Sequence, residues 1–164
     1  MSANPKHSRA FGSSAGASVP GREQVMNESF AAVPDAVAQA RLALVGRLRG
    51  LGADDQSLDD VALAVSEACT NAVVHAYRET TSGTFEVAAA VKGDLVHVSV
   101  TDYGGGLRAR TDSPGLGLGL PLITSLSDSL AVRSGPRRTN GNAGGPGTVL
   151  SMTFTLRRQA LAPR

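Results

Sequence analysis

The stretch Leu58 to Tyr77, LDDVALAVSEACTNAVVHAY, constrains this chain more than any other. Leu58, Val61, Val65, Ala68, Ala72 and Ala76 recur at helical spacing, and Leu63, Val73 and Val74 add apolar surface on other sides. The pattern predicts one helix, apolar on most sides and therefore well covered. Ser57 is expected as its N-cap, with Asp59 and Asp60 in the first turn, where carboxylates suit the exposed amide ends. Glu67, Asn71 and His75 are spaced four apart and so form one polar strip along this helix. A carboxylate, an amide and an imidazole in a covered place need polar partners. Two readings stand open: a wetted edge with a weak hydrogen-bonded ladder, or a ligand site for a metal ion or phosphates.

The flanking sequence supplies the rest of an α+β pattern. Residues 1–24, rich in Ser, Ala, Gly and Pro without periodicity, read as a disordered tail, 25–158 as one domain, and 159–164 as a C-terminal tail. Val25 to Val33 is expected as a strand. Pro34 and Asp35 open a helix that runs to Leu51 and stops at Gly52. Its apolar stripe is Val37, Ala40, Leu44, Leu48 and Leu51, and Arg41 falls on the edge of that stripe. Such an arginine either snorkels over its neighbours or is aimed at a phosphate or a protein partner. Phe85 to Val91 and Leu95 to Thr101 alternate as strands around a Gly93-Asp94 turn. Val96, Val98 and Val100 share one face, and parity sends Asp102 to the same face. A carboxylate there is costly unless donors meet it, whether from a loop it caps or from a ligand.

Glycines follow. Gly104, Gly105 and Gly106 precede Leu107, and after the link Arg108 to Pro114 comes Gly115-Leu116-Gly117-Leu118-Gly119-Leu120-Pro121-Leu122-Ile123. Pro121 is acceptable in a first helical turn, so these glycines are expected at a helix N-terminus, where free amides and the helix dipole attract anions. Leu130 to Arg133 and Thr148 to Leu156 are the last strands, with Thr148 on the face of Leu150, Met152 and Phe154. The expected fold is a two-layer α+β sandwich: a mixed, largely antiparallel sheet with helices packed on one face.

Composition narrows the function. A net charge of +2 and 4% aromatic residues, with no Lys/Arg-rich run, argue against direct nucleic-acid binding while allowing a protein partner with an acidic face. The single cysteine, Cys69, excludes an internal disulfide framework and fits a reducing compartment. It lies on another face of the helix from Glu67 and Asn71 and reads as core. No stretch is long and apolar enough to span a membrane, and the N-terminus lacks the apolar run of a signal peptide, so a cytoplasmic location is expected.

The dinucleotide-binding fingerprint is rejected, because a hairpin rather than a parallel βαβ unit precedes the glycines. The ordered combination is more specific: Glu67-x3-Asn71-Ala72-x2-His75, Asp102-x-Gly104-x-Gly106-Leu107, Gly115-x-Gly117-Leu118-Gly119-Leu120, then Gly147-Thr148. It resembles the ATP-binding domain shared by histidine kinases, gyrase, the mismatch-repair MutL proteins and a heat-shock chaperone. Within that superfamily it is similar to the single-domain anti-sigma factor serine kinases, over roughly Val25 to Leu156.

The resemblance implies ATP and Mg²⁺ as cofactors, with a sigma factor and an anti-sigma factor antagonist as protein partners; a homodimer is compatible with it. It implies that Asn71 holds Mg²⁺ between the phosphates and that Glu67 is general base toward the attacking hydroxyl or water. Asp102 would accept a hydrogen bond from the adenine amino group, with Thr148 beside the base and Gly104, Gly106 and Leu107 lining its pocket. Gly115, Leu116, Gly117, Leu118, Gly119 and Leu120 would form the phosphate-facing turn. His75 is expected to pack or hydrogen-bond near the phosphates rather than catalyse, and Arg41 to contact a partner. One departure is the link Arg108 to Pro114, shorter than the lid of the kinases of this branch. It favours nucleotide binding over phosphoryl transfer, because transfer needs the terminal phosphate enclosed and aligned. The alternatives are an ATP-dependent interaction module without transfer, and a detached histidine-kinase catalytic domain.

Overall fold

A computed structural model describes residues 21–75, 83–104, 119–135 and 146–159, with only the backbone of His75. Among these residues the elements run β1 (Glu23–Ala31), α1 (Pro34–Gly50), α2 (Asp55–His75), β2 (Thr84–Lys92), β3 (Leu95–Asp102), α3 (Gly119–Leu126), β4 (Ser129–Ser134) and β5 (Thr148–Thr155). The strands form one sheet in the order β1-β2-β3-β5-β4. All four pairings are antiparallel, so the parallel component allowed for by a mixed sheet is absent among the described strands. β1 begins at Glu23, inside the segment assigned to the tail, and ends at Ala31 rather than Val33. A bulge between Gln24 and Met26 shifts its register on β2.

Alternation drives the layering. Phe85, Val87 and Ala89 of β2, Val96, Val98 and Val100 of β3, and Leu150, Met152 and Phe154 of β5 are buried, and their neighbours in sequence are more exposed. Onto that face pack Ala40, Leu44 and Leu48 of α1 and Leu58, Val61, Val65, Ala68 and Cys69 of α2. Full burial of each large apolar side chain contributes roughly 1.5–3 kcal/mol. α2 lies over β2, β3 and β5, with α1 on the β1 side and α3 on the β4 side. Two expectations for α2 are corrected. Leu63 and Val74 are 45% and 46% exposed, so its far side faces solvent rather than lying covered. Its N-cap is Asp54, whose Oδ1 accepts the Ser57 N–H at 2.8 Å. The helix starts three residues ahead of the expected position, because aspartate caps as well as serine and sits where its oxygen reaches the third amide.

Ser57 is instead buried in the first turn, and its Oγ accepts the Arg157 N–H at 3.0 Å. That bond belongs to a seam closing one end of the sandwich. Asp54 N–H donates to the Arg157 carbonyl, Gln159 N–H to the Gly52 carbonyl, and Leu156 N–H to the Asp94 carbonyl. Arg158 adds an ion pair with Asp94 and a bond to the Leu51 carbonyl. α1 ends as expected at Gly52, with φ of 84° and Ala53 N–H reaching back to the Leu48 carbonyl. The β2–β3 turn is Gly93-Asp94, with φ of 60° at Gly93 only, as a type II′ hairpin requires.

Candidate functional site

α2 starts at the seam, and Glu67 and Asn71 lie roughly three and four turns further along it. Both are half-buried. The first residue of α3, Gly119, is buried against them: a Cβ built on it would lie 3.3 Å from Glu67 Oε2 and 3.5 Å from Asn71 Nδ2. The structure therefore brings together a carboxylate, an amide and the start of a helix, from segments about fifty residues apart. α3 takes this position through Ile123, fully buried in the core, and Leu120, partly buried against it.

Asn71 Nδ2 is buried and has no hydrogen-bond partner among the described residues. Leaving such a donor unsatisfied costs about 1–3 kcal/mol, and native chains rarely leave one without a use. The carboxamide oxygen is also a neutral ligand of the hard kind that Mg²⁺ prefers. Among the described residues no three of His, Cys, Asp and Glu form a group able to hold a metal ion. A Mg²⁺ site built from one or two protein oxygens plus substrate phosphates needs no such group, and Asn71 fits it.

Asp102 ends β3 at the opposite end from the hairpin and is 7% exposed. Its Oδ1 accepts the Gly104 N–H at 2.9 Å and its Oδ2 the Thr148 N–H at 3.1 Å. Burial pushes its carboxyl above the ordinary 3.8, against the opposing pull of the bonds from Gly104 and Thr148. Of the two sources of donors left open by the sequence, the chain itself serves both oxygens, Gly104 as the loop that the carboxylate caps and Thr148 from the start of β5. The Thr148 side chain is a third hydrogen-bonding partner of this carboxylate, which with about four lone-pair sites can still accept one further donor. Thr148 is buried beside it, on the face of Leu150 and Met152. The register depends on Gly147, a residue to which the sequence pattern attached no role of its own. A Cβ there would lie 1.9 Å from the Asp102 carbonyl oxygen, so only glycine lets β5 start this close to the end of β3. The glycine directly before Thr148 was the available signal.

Arg41 is half-buried on α1, with Nη1 3.4 Å from Ser66 Oγ on α2. It is tethered next to Glu67 in sequence rather than swung over the apolar stripe. Cys69 is fully buried, and burial pushes its thiol up to about 12, which makes it core as expected and chemically inert. The His75 side chain, Gly106, Leu107, Gly115, Leu116, Gly117 and Leu118 lie outside the described residues. No helix among the described residues is long and apolar enough to cross a membrane.

The model of the histidine kinase-like ATPase domain family matches residues 30–154. The chain is 32% identical over 143 residues to the serine-protein kinase RsbW of Bacillus licheniformis, covering 78% of this chain and 83% of that one. It is 30% identical to the anti-sigma F factor of Pasteuria penetrans, covering 80% and 90%. Among solved structures it is similar to the RsbU and RsbW domains of Rv1364c from Mycobacterium tuberculosis, with a TM-score of 0.62 and 28% identity. That match covers 82% of this chain, which spans about a third (32%) of the larger protein.

Proposed function

This chain belongs to the histidine kinase-like ATPase domain family, and from that premise we propose that it is an ATP-using anti-sigma factor that phosphorylates a serine of an antagonist protein. The observation that carries the proposal is the buried, unpartnered Asn71 amide beside the Glu67 carboxylate at the start of α3. The protein partners follow from similarity to a serine-protein kinase and an anti-sigma factor over most of their lengths.

Asn71 would hold Mg²⁺ through its amide oxygen. ATP and Mg²⁺ supply the phosphoryl group and the charge that neutralises the phosphates during transfer. Glu67 accepts the proton of the attacking serine hydroxyl. Asp102 would keep its internal bonds to Gly104 and Thr148 and offer a remaining lone pair to the adenine amino group, with Thr148 beside it. Arg41, tethered to α2 through Ser66, faces the protein partner. Backbone amides of the segment from Gly115 to Gly119 would receive the phosphates, and an added methyl group at Gly119 leaves its amide in place.

The test is label transfer from γ-labelled ATP with Mg²⁺ to a co-purified antagonist. Glu67→Gln should keep ATP affinity and lose about 10²–10⁴-fold in transfer, the usual worth of a general base. Equal rates in both proteins remove Glu67 from that role. ATP binding without transfer by the wild type would favour the second reading, an ATP-dependent interaction module, to which the short link 108–114 points.

A further inference from the structure

Three glycines among the described residues meet close neighbours, Gly135 and Gly147 against backbone and Gly119 against side chains. A Cβ on Gly147 would strike backbone, the Asp102 carbonyl at 1.9 Å. A Cβ on Gly119 would meet only the polar tips of two side chains: Glu67 Oε2 at 3.3 Å, Asn71 Nδ2 at 3.5 Å and Asn71 Oδ1 at 3.7 Å. Gly119 is therefore not required for backbones to approach each other. What its missing side chain leaves is room for the Glu67 carboxylate. The two contacts differ in a useful way. The Asn71 distances are ordinary van der Waals separations that a methyl group would tolerate. The 3.3 Å contact to Glu67 Oε2 is too tight, so the carboxylate must shift by a few tenths of an ångström.

We propose that Gly119 is a positioning residue for Glu67: the bare first turn of α3 is the stop against which the carboxylate rests, and its position fixes where a proton is accepted. The inference rests on the kinase reading above. Gly119 sets Glu67 without setting Asn71, so the two tasks of the α2 strip are separable by one methyl group.

The test uses the full chain and Mg·ATP, with phosphate release as the activity probe and a fluorescent ATP analogue as the affinity probe. Gly119→Ala should lower kcat about tenfold or more, as misplacements of this kind do, with KM and Mg²⁺-dependent affinity within about twofold of wild type. Glu67→Asp retracts the carboxylate by one methylene. It should slow the wild type but leave Gly119→Ala no slower, or partly rescue it. A readout independent of activity is thermal melting: Gly119→Ala should lower Tm in the Glu67 background and leave it unchanged or raised in Glu67→Ala, where the clash is gone and alanine is the better helix former. Wild-type kcat in Gly119→Ala, a rise in KM at constant kcat, or the same Tm loss in both backgrounds overturns the proposal. A wild type that neither releases nor transfers phosphate overturns the kinase reading instead, and the melting cycle then still tests the contact.

Discussion

Replacing Asp102 by alanine separates its structural work from its part in recognition. The substitution strips the acceptor from two buried N–H groups, those of Gly104 and Thr148. At about 1–3 kcal/mol for each orphaned donor, the loss is about 2–6 kcal/mol. Removing a buried charge returns some of this, because burial is the largest influence on the Asp102 carboxyl, so the lower half of that range is expected. At about 3–4 °C per kcal/mol for a domain of this size, Tm should fall by about 6–16 °C. Asp102→Asn keeps one acceptor and turns an amide N–H toward the other donor, and should lose about half as much. Nucleotide affinity is then read well below both transitions, where ADP and ATP should weaken together, since both carry adenine. The pH dependence has a definite sign. The folded carboxyl lies above the ordinary 3.8, so the folded state takes up this proton first as pH falls. Its contribution is fully present below 3.8 and is lost as pH rises through the folded value. Wild type should therefore gain stability relative to Asp102→Asn as pH is lowered across that window. An Asp102→Ala protein that melts like wild type refutes the two internal bonds. One that melts low but binds ADP normally reduces Asp102 to a loop clasp.

Asn71→Ala should weaken Mg²⁺-dependent ATP binding yet raise the Tm of the ligand-free protein, because it deletes an unsatisfied buried donor worth about 1–3 kcal/mol; a lower Tm would mean the amide has an internal partner. Gly147→Ala should lower Tm steeply, by more than the roughly 1–3 kcal/mol of ordinary overpacking, since its Cβ meets backbone at 1.9 Å; calorimetry checks it, and a wild-type Tm excludes the close approach. Asp54→Ala should lower Tm while Asp54→Asn, still a cap, should not. The Asp54 carboxyl is held below 3.8 chiefly by its bonds from Ser57, so the wild-type advantage over Asp54→Ala is present above 3.8 and fades as pH falls through the folded value.

Element order was legible because the periodicities of the chain are strong. The valines of β3, the Gly93-Asp94 turn and the Gly52 stop each left a local signature that tertiary packing did not override. The Ser57 cap was misplaced because two capping residues, Asp54 and Ser57, stand three apart, and only the seam to Arg157 explains why serine is drawn inward. The exposure of Leu63 and Val74 was hidden for a related reason: composition makes a helix apolar all round, but only the layer architecture says that nothing lies over its far side. Parity alone placed Asp102 on the core face. Of its donors, the loop amide of Gly104 fell within the capping alternative, but the Thr148 N–H was not legible, since it comes from forty-six residues away. The convergence of Gly119 on Glu67 was likewise beyond sequence spacing, because it depends on how Ile123 seats α3 in the core.

The two ends of the sandwich divide the work. At the hairpin end, Asp54, Ser57, Asp94, Arg157 and Arg158 close on one another, with Arg158 also reaching the Leu51 carbonyl. The Asp102 end and the second half of α2 are built differently. Asn71 carries a bare donor, Asp102 is held by Gly104 and Thr148, and Glu67 rests against a glycine. Unsatisfied groups of this kind persist only where the surrounding structure holds them. Here the support runs through α2 itself, pinned at its start by the seam and along its length by Val61, Val65 and Ala68. A helix fixed in this way cannot turn to bring Asn71 to water without pulling its apolar residues out of the core. The packing that makes the domain stable therefore also fixes Glu67 and Asn71 in place, and on the proposed reading it keeps them for the nucleotide, so that alanine at 71 would stabilise the helix while removing what the packing preserves.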